Sequence, residues 1–239
     1  RAISASGSSM VAVGNDGNAA IWNLDSGERQ RLLRGNDGPL RAVAYGAGID
    51  DFVTAGQDNR VRLWNDNRGE RWSLGGHTNT VLAVDYRNDK RLIASGGADK
   101  TVRLWDSRRR RLIRSYVGHT DDVSAVALSP SADIIASGSF DKTVILWSAD
   151  TDRKLRQLAG HLDRVTDIAF SPGGGMLASA SEDGTVKLWN VATGELLATY
   201  VGHSEAVRAV RFLADGKSIA SAADDGTVRL WTAKVAGLD

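Results

Sequence analysis

Residues 118–147 read GHTDDVSAVALSPSADIIASGSFDKTVILW. The stretch opens on Gly118-His119 and closes on Trp147, with three runs suited to strands between them. Val123-Ser-Ala-Val-Ala-Leu128 is the first. A turn, Ser129-Pro-Ser-Ala132, leads to Ile134-Ile-Ala-Ser-Gly138, which is rich in small and β-branched residues. Phe140-Asp-Lys142 is a tight turn before Thr143-Val-Ile-Leu-Trp147, and a fourth run, Lys154-Leu-Arg-Gln-Leu158, leads to the next Gly-His. Four short runs joined by turns, with almost no helical periodicity, predict an antiparallel meander.

Outward from this stretch the pattern repeats. Six of the seven tryptophans stand at Trp22, Trp64, Trp105, Trp147, Trp189 and Trp231, with gaps of 42, 41, 42, 42 and 42 residues. The four histidines, His77, His119, His161 and His203, are each 42 apart and each follows a glycine. A fixed period of this length marks a repeat architecture. One four-stranded sheet cannot bury both its faces. Stacked radially, neighbouring sheets cover each other, and the taper toward the axis favours Ala, Ser and Gly on inner strands. Ala94-Ser-Gly-Gly97, Ala178-Ser-Ala180 and Ala220-Ser-Ala-Ala223 fit that taper.

The Gly-His start, the Trp followed by Asp or a polar stand-in, and the period resemble the WD40 repeat family over essentially the whole chain. Only Trp105-Asp106 is a literal Trp-Asp pair; Asn follows Trp22, Trp64 and Trp189, Ser follows Trp147, and Thr follows Trp231. The resemblance, which is closest to repetitive bacterial-type WD40 arrays, implies an all-β fold. The architecture it implies is a WD40 β-propeller of six repeats of four-stranded antiparallel blades. One domain is expected over residues 1–239, with blades at about 1–34, 35–75, 76–117, 118–159, 160–201 and 202–239.

The resemblance also implies a buried network of His, Ser or Thr, Asp and Trp in each blade. This chain carries it at offsets of 18, 22 and 28 residues from each histidine. The sets are His77, Ser95, Asp99, Trp105; His119, Ser137, Asp141, Trp147; His161, Ser179, Asp183, Trp189; and His203, Ser221, Asp225, Trp231. Asp can accept from one imidazole N–H, the imidazole can pair with the hydroxyl, and the hydroxyl can meet the indole N–H. A Ser–His–Asp trio also resembles a catalytic triad. No enzyme needs four copies of a nucleophile, and each serine is tied to a tryptophan, so the reading is structural. The first two blades depart from the pattern. The second has Asn36 where His belongs, with Thr54, Asp58 and Trp64 in register; the first has Asp16 and Trp22, with Ala12 in place of the hydroxyl. Those two blades are expected to be less rigid.

Arg1-Ala-Ile-Ser aligns with Arg41-Ala-Val-Ala, and Trp231 is followed by only eight residues. The sixth blade is therefore expected to have three strands, and the chain about 23. Three ways of completing the ring stay open. It closes with six blades, it belongs to a longer WD40 signalling protein with more blades, or another chain pairs with an open blade edge.

The family likeness places partner contacts on the narrow face, three and five residues after each His and one before the network Asp. Those positions supply Arg1, Arg41, Gln57, Leu82, Asp122, Phe140, Arg164, Glu182, Arg208 and Asp224. In a closed ring Arg208, Arg1 and Arg41 would form a basic sector, suited to an acidic or phosphorylated peptide, since arginine and aromatic side chains are favoured interface anchors. Two features fall outside this scheme. Arg108-Arg-Arg-Arg111 lies in a turn at the opposite face, and Trp72 is the tryptophan outside the period.

Composition narrows the function classes. The chain of 239 residues is 42% apolar and 25% charged, and 30 basic side chains balance 29 acidic ones for a net charge of +1. That balance does not favour nucleic acid. Cysteine is absent, so disulfides and thiolate metal sites are excluded. All four histidines belong to the repeat, which leaves Asp122, Glu182 and Asp224 near Arg164 as the candidates for hydrolase or cation-site chemistry. No apolar run reaches membrane-spanning length. The expectation is a non-catalytic scaffold for proteins or peptides, without metal or cofactor and with no membrane partner, cytoplasmic by default.

Overall fold

The fourth copy forms the strands Val123–Leu128, Ile134–Ser139, Thr143–Ser148 and Lys154–Ala159, paired in that order as one antiparallel sheet. Its first three strands are largely buried, whereas the fourth exposes most of its side chains. Inner strands covered on both faces need continuous small or branched apolar residues, and an edge strand facing water does not. The computed structural model describes residues 2–34, 37–46, 51–65 and 69–233.

The structure falls into two compact units, Arg1–Val117 and Gly118–Asp239, divided at the border between the third and fourth copies. The first unit holds three four-stranded sheets, at residues 2–33, 40–75 and 81–117. The second holds two four-stranded sheets, at 123–159 and 165–201, and one of three strands at 207–232. Among the described residues there is no helix, and the six antiparallel blades of four, four, four, four, four and three strands belong to the β-propeller class read from the repeat. No helix is therefore long and apolar enough to cross a membrane, which says nothing of strands.

Within each unit consecutive sheets pack face to face. In the first unit Val11, Ile21, Leu40, Phe52 and Trp64 bury one interface, and Val53, Leu63, Val81, Ile93 and Trp105 bury the next. In the second unit Ala136, Leu146, Val165, Leu177 and Trp189 do the same, followed by Ala178, Leu188, Val207 and Ile219 with Trp231 against them. Each of these indoles thus fills the space between its own blade and the preceding one. In all five four-stranded sheets the register between the third and outer strands shifts by one just before the Trp.

The glycine of each Gly-His pair is explained by the same indole. A Cβ on Gly76, Gly118, Gly160 or Gly202 would lie 3.0, 2.8, 3.2 or 3.0 Å from the outer corner of Trp105, Trp147, Trp189 or Trp231. Gly118→Ala is expected to destabilise the fold by about 1–3 kcal/mol, because the added methyl must displace the Trp147 ring. A urea midpoint equal to that of the parent would show that the loop yields freely.

Candidate functional site

Each complete copy brings its four network residues into one hydrogen-bonded chain. His77 Nδ1 lies 2.9 Å from Asp99 and Nε2 lies 2.7 Å from Ser95 Oγ, which also accepts the Trp105 indole N–H at 2.8 Å. The same three distances are 2.7, 2.8 and 2.8 Å around His119, and 2.9, 2.8 and 2.8 Å around both His161 and His203. The indole can only donate and the carboxylate only accept. At His77 and His119, which burial keeps neutral, Nδ1 then carries the proton to the carboxylate and the serine donates to Nε2.

The Asp is held by more than the histidine. The N–H after each His donates to it: Thr78 at 3.0, Thr120 at 3.0, Leu162 at 2.9 and Ser204 at 3.1 Å. A threonine two residues after the Asp donates as well: Thr101 at 2.8, Thr143 at 2.7, Thr185 at 2.6 and Thr227 at 2.7 Å. This fifth member was visible as a Thr at one fixed offset and is absent from the sequence reading. Burial pushes the His77 and His119 imidazoles below the ordinary histidine range, against the pull of their carboxylates. Burial also works to raise Asp99 and Asp141, but the hydrogen bonds from threonine, backbone and imidazole outweigh it and hold both below the usual carboxylate range.

The second blade replaces the missing imidazole. Arg62, with a side chain 5% exposed, bonds Asp58 directly and reaches Glu70 at 3.5 Å, while Trp64 donates to Thr54 at 2.8 Å. Asp58 is thus partnered by an arginine from its own blade; Asn36 lies outside the described residues. In the first blade Asp16 accepts instead from the Asn18 amide at 2.7 Å.

None of these trios offers a reactive hydroxyl. Ser95, Ser137, Ser179 and Ser221 are at most 2% exposed and already hold both an indole and an imidazole. A nucleophile needs open space about 3 Å away for the reacting atom. Among the described residues, no group of three or more His, Asp or Glu side chains is placed to hold a metal ion.

The exposed positions at the same end of the blades are held by the backbone. The N–H before each network Asp donates to the carbonyl three residues after the His position. The pairs are Gln57 to Pro39, Ala98 to Thr80, Phe140 to Asp122, Glu182 to Arg164 and Asp224 to Ala206, at 2.8–3.0 Å. In the first unit Arg41 donates to Asn15 at 3.3 Å, Gln57 is exposed and Leu82 half-buried, and Arg1 lies outside the described residues.

In the second unit the side chains form a continuous strip over three blades. The Arg164 guanidinium stands 4.6 Å above the Phe140 ring and 4.0 Å from Glu182. Glu182 accepts from Arg208 at 2.6 Å, and Arg208 bonds Asp224 at 2.6 Å. Asp122 is half-buried at the Phe140 end. This corrects the expected basic sector at one of its members. Arg208 is flanked by two carboxylates, which hold its charge firmly in place and neutralise it, so it is not a bare cation. The strip carries two arginines against two carboxylates, and Glu182 and Asp224 are occupied by arginine instead of facing a cation site.

Two measurements test the network. His161→Ala is expected to cost about 1–3 kcal/mol, since Ser179 and Asp183 lose a buried partner. Acid should do the same more broadly. Below the ordinary histidine pKa the unfolded chain takes up protons that buried neutral His77 and His119 refuse, so stability falls with pH there. Protonation of the network carboxylates adds a second loss below the ordinary Asp value. Melting temperatures should therefore decline from about pH 7 to about pH 5, starting near the unperturbed histidine value. A flat profile would contradict neutral buried rings.

The family comparison agrees with this geometry. The family described as WD domain, G-beta repeat matches residues 69–106, 110–148, 152–190 and 194–232, together more than half of the chain. These segments contain each network Asp and Trp of the four complete copies. Among similar proteins are the Nuclear distribution protein nudF of Aspergillus flavus and that of Aspergillus oryzae, each 30% identical over 103 residues. That stretch is 41% of this chain and spans only 23% of the length of either relative. With four matched repeats, their buried networks and six antiparallel blades, the chain belongs to the WD40 repeat family.

Proposed function

We propose that this chain is a non-catalytic interaction module that binds partner proteins or peptides on the blade ends carrying the Phe140–Arg164–Glu182–Arg208–Asp224 strip. The observation that carries this reading is the continuity of that strip across three blades. Exposed ion pairs contribute little stability, about 0–1 kcal/mol each. Their effect here is orientation, because they hold long side chains in a fixed pattern before a partner arrives. WD40 proteins as a family act mainly as interaction scaffolds, which supports the same reading.

Arg164 is the anchor for an acidic or phosphorylated partner side chain. It is 51% exposed and only loosely paired at 4.0 Å, whereas Arg208 is bound on both sides. Phe140 beneath it adds apolar area, and Glu182 and Asp224 would disfavour an anion further along the strip. A partner segment with one acidic or phosphorylated residue beside a basic one fits this order of charges.

The test is binding to arrayed peptides, acidic, phosphorylated and basic, compared between the parent, a Phe140→Ala/Arg164→Ala variant and His161→Ala. The double variant should weaken acidic or phosphopeptide binding at least about tenfold, as expected for loss of an anchor pair. His161→Ala should retain binding while losing stability. Unchanged binding by the double variant argues against the strip.

A second mode has one observation in its favour. The third strand of the last sheet, Val228–Thr232, has no outer neighbour among the described residues, and Val228 and Leu230 are 72% and 70% exposed. Such an edge pairs readily with a strand of another chain. A monomeric mass at high concentration by light scattering would remove this mode.

A further inference from the structure

Two features stand apart from the strip, Trp72 and the arginine run, and both lie in the first unit. They line one pocket of about 320 Å³ between the second and third blades, at the end opposite the histidine networks. Trp72 forms its wall on one side, half-buried against the Leu63, Leu74 and Trp105 cluster. Tyr86, Asn88, Arg91, Arg108 and Arg110 come from the third blade.

Two turns bring the arginines together. Ser107 donates its N–H to the Arg91 carbonyl at 2.9 Å, which ties the first hairpin turn of the blade to the third. Among the described residues, Arg91, Arg108 and Arg110 have no carboxylate within ion-pair distance. Arg109, between them in sequence, pairs with Asp106 at 3.6 Å and does not line the pocket. Among the described residues the acidic wall residue is Asp51, which accepts from the Asn65 amide at 2.7 Å.

The backbone makes the arginines conspicuous. Arg91 has φ 60° and Arg110 φ 56°, the left-handed region that favours glycine. Most other described copies place glycine there: Gly7, Gly174 and Gly216 in the first turn, where the fourth copy has Ala132 at φ 62°, and Gly27, Gly69 and Gly194 in the third. In this blade alone both left-handed turn positions carry arginine, and both arginines face one pocket. The corresponding groove between the fifth and sixth blades is about 430 Å³ and has Gly216 at the Arg91 position; among the described residues its lining, Ser171, Met176, Asn190 and Ala192 with others, is uncharged, and positions 234 and 236, which match Arg108 and Arg110, lie outside the described residues. Strained residues retained where a strain-free one stands in sister copies point to a site.

We propose that this pocket binds a phosphomonoester joined to a flat aromatic group, either directly or through a sugar. The three guanidinium groups supply fork-shaped donors for the phosphate oxygens, and the half-buried Trp72 indole supplies an aromatic wall. The volume lies at the lower end of small-ligand sites. A nucleotide and a phosphotyrosine-like group share this chemistry.

The test is calorimetric titration of the intact chain with AMP, phenyl phosphate, adenosine and inorganic phosphate, alongside Arg91→Gly and Arg110→Gly. AMP or phenyl phosphate should bind saturably and at least about tenfold more tightly than adenosine or inorganic phosphate. Whichever of the two esters binds more tightly identifies the source. Each glycine variant should weaken that binding about tenfold without lowering the melting temperature, because glycine suits the turn. Absence of saturable binding by millimolar ester, adenosine binding as tight as AMP, or inorganic phosphate binding as tight as either ester overturns the proposal. Glycine variants that bind like the parent overturn it as well.

Discussion

In five of the six blades one hydroxyl sits where the structure is most constrained. Ser95, Ser137, Ser179, Ser221 and, in the second blade, Thr54 accept the indole N–H of the Trp ten residues later. A buried indole without that acceptor would leave a donor unsatisfied, and a buried hydroxyl without the indole would leave an oxygen unused. The bond joins the second strand to the third and fixes the ring, which at Trp64, Trp105, Trp189 and Trp231 packs against the preceding blade. The histidine then joins the entering loop to the same oxygen, and the aspartate ties that loop to the following turn. Loops at one end of each blade are therefore placed by buried chemistry, and exposed side chains inherit that placement.

Legibility in the sequence followed repetition. The His, Ser, Asp and Trp positions could be read because four copies carry them at identical offsets. Thr101, Thr143, Thr185 and Thr227 recur just as regularly, but a threonine opening a strand looks like ordinary strand propensity, so its bond to the Asp did not stand out. Arg62 could not be read. It replaces the imidazole in one copy only, from a position where other copies hold Arg103, Ile145, Lys187 or Arg229. Arg208 was expected as an open cation because pairing across 26 residues depends on how neighbouring blades lie side by side, which no local pattern encodes. Trp72 and the arginine run were both noticed, yet nothing in their spacing reveals that they share a pocket.

The two ends of the blades are built on different principles. At the network end, backbone groups and buried side chains hold the loops, and the exposed residues form ordered pairs. At the opposite end, the described walls of the grooves between blades differ in content, from uncharged residues in one to three arginines in another. The repeat enforces less there, so departures from it carry more information about what a given blade does.

The carbonyl–amide clasp between the residue three past each His position and the residue before each network Asp has a further consequence. It uses main-chain atoms alone, so it is indifferent to which side chains stand at its two ends: Gln57 over Pro39, Ala98 over Thr80, Phe140 over Asp122. Each of these five blades therefore presents a two-letter word whose spelling can change without touching the clasp that displays it. A duplicated array of such blades can rewrite its contact surface one word at a time, and recognition can drift while the architecture stays still.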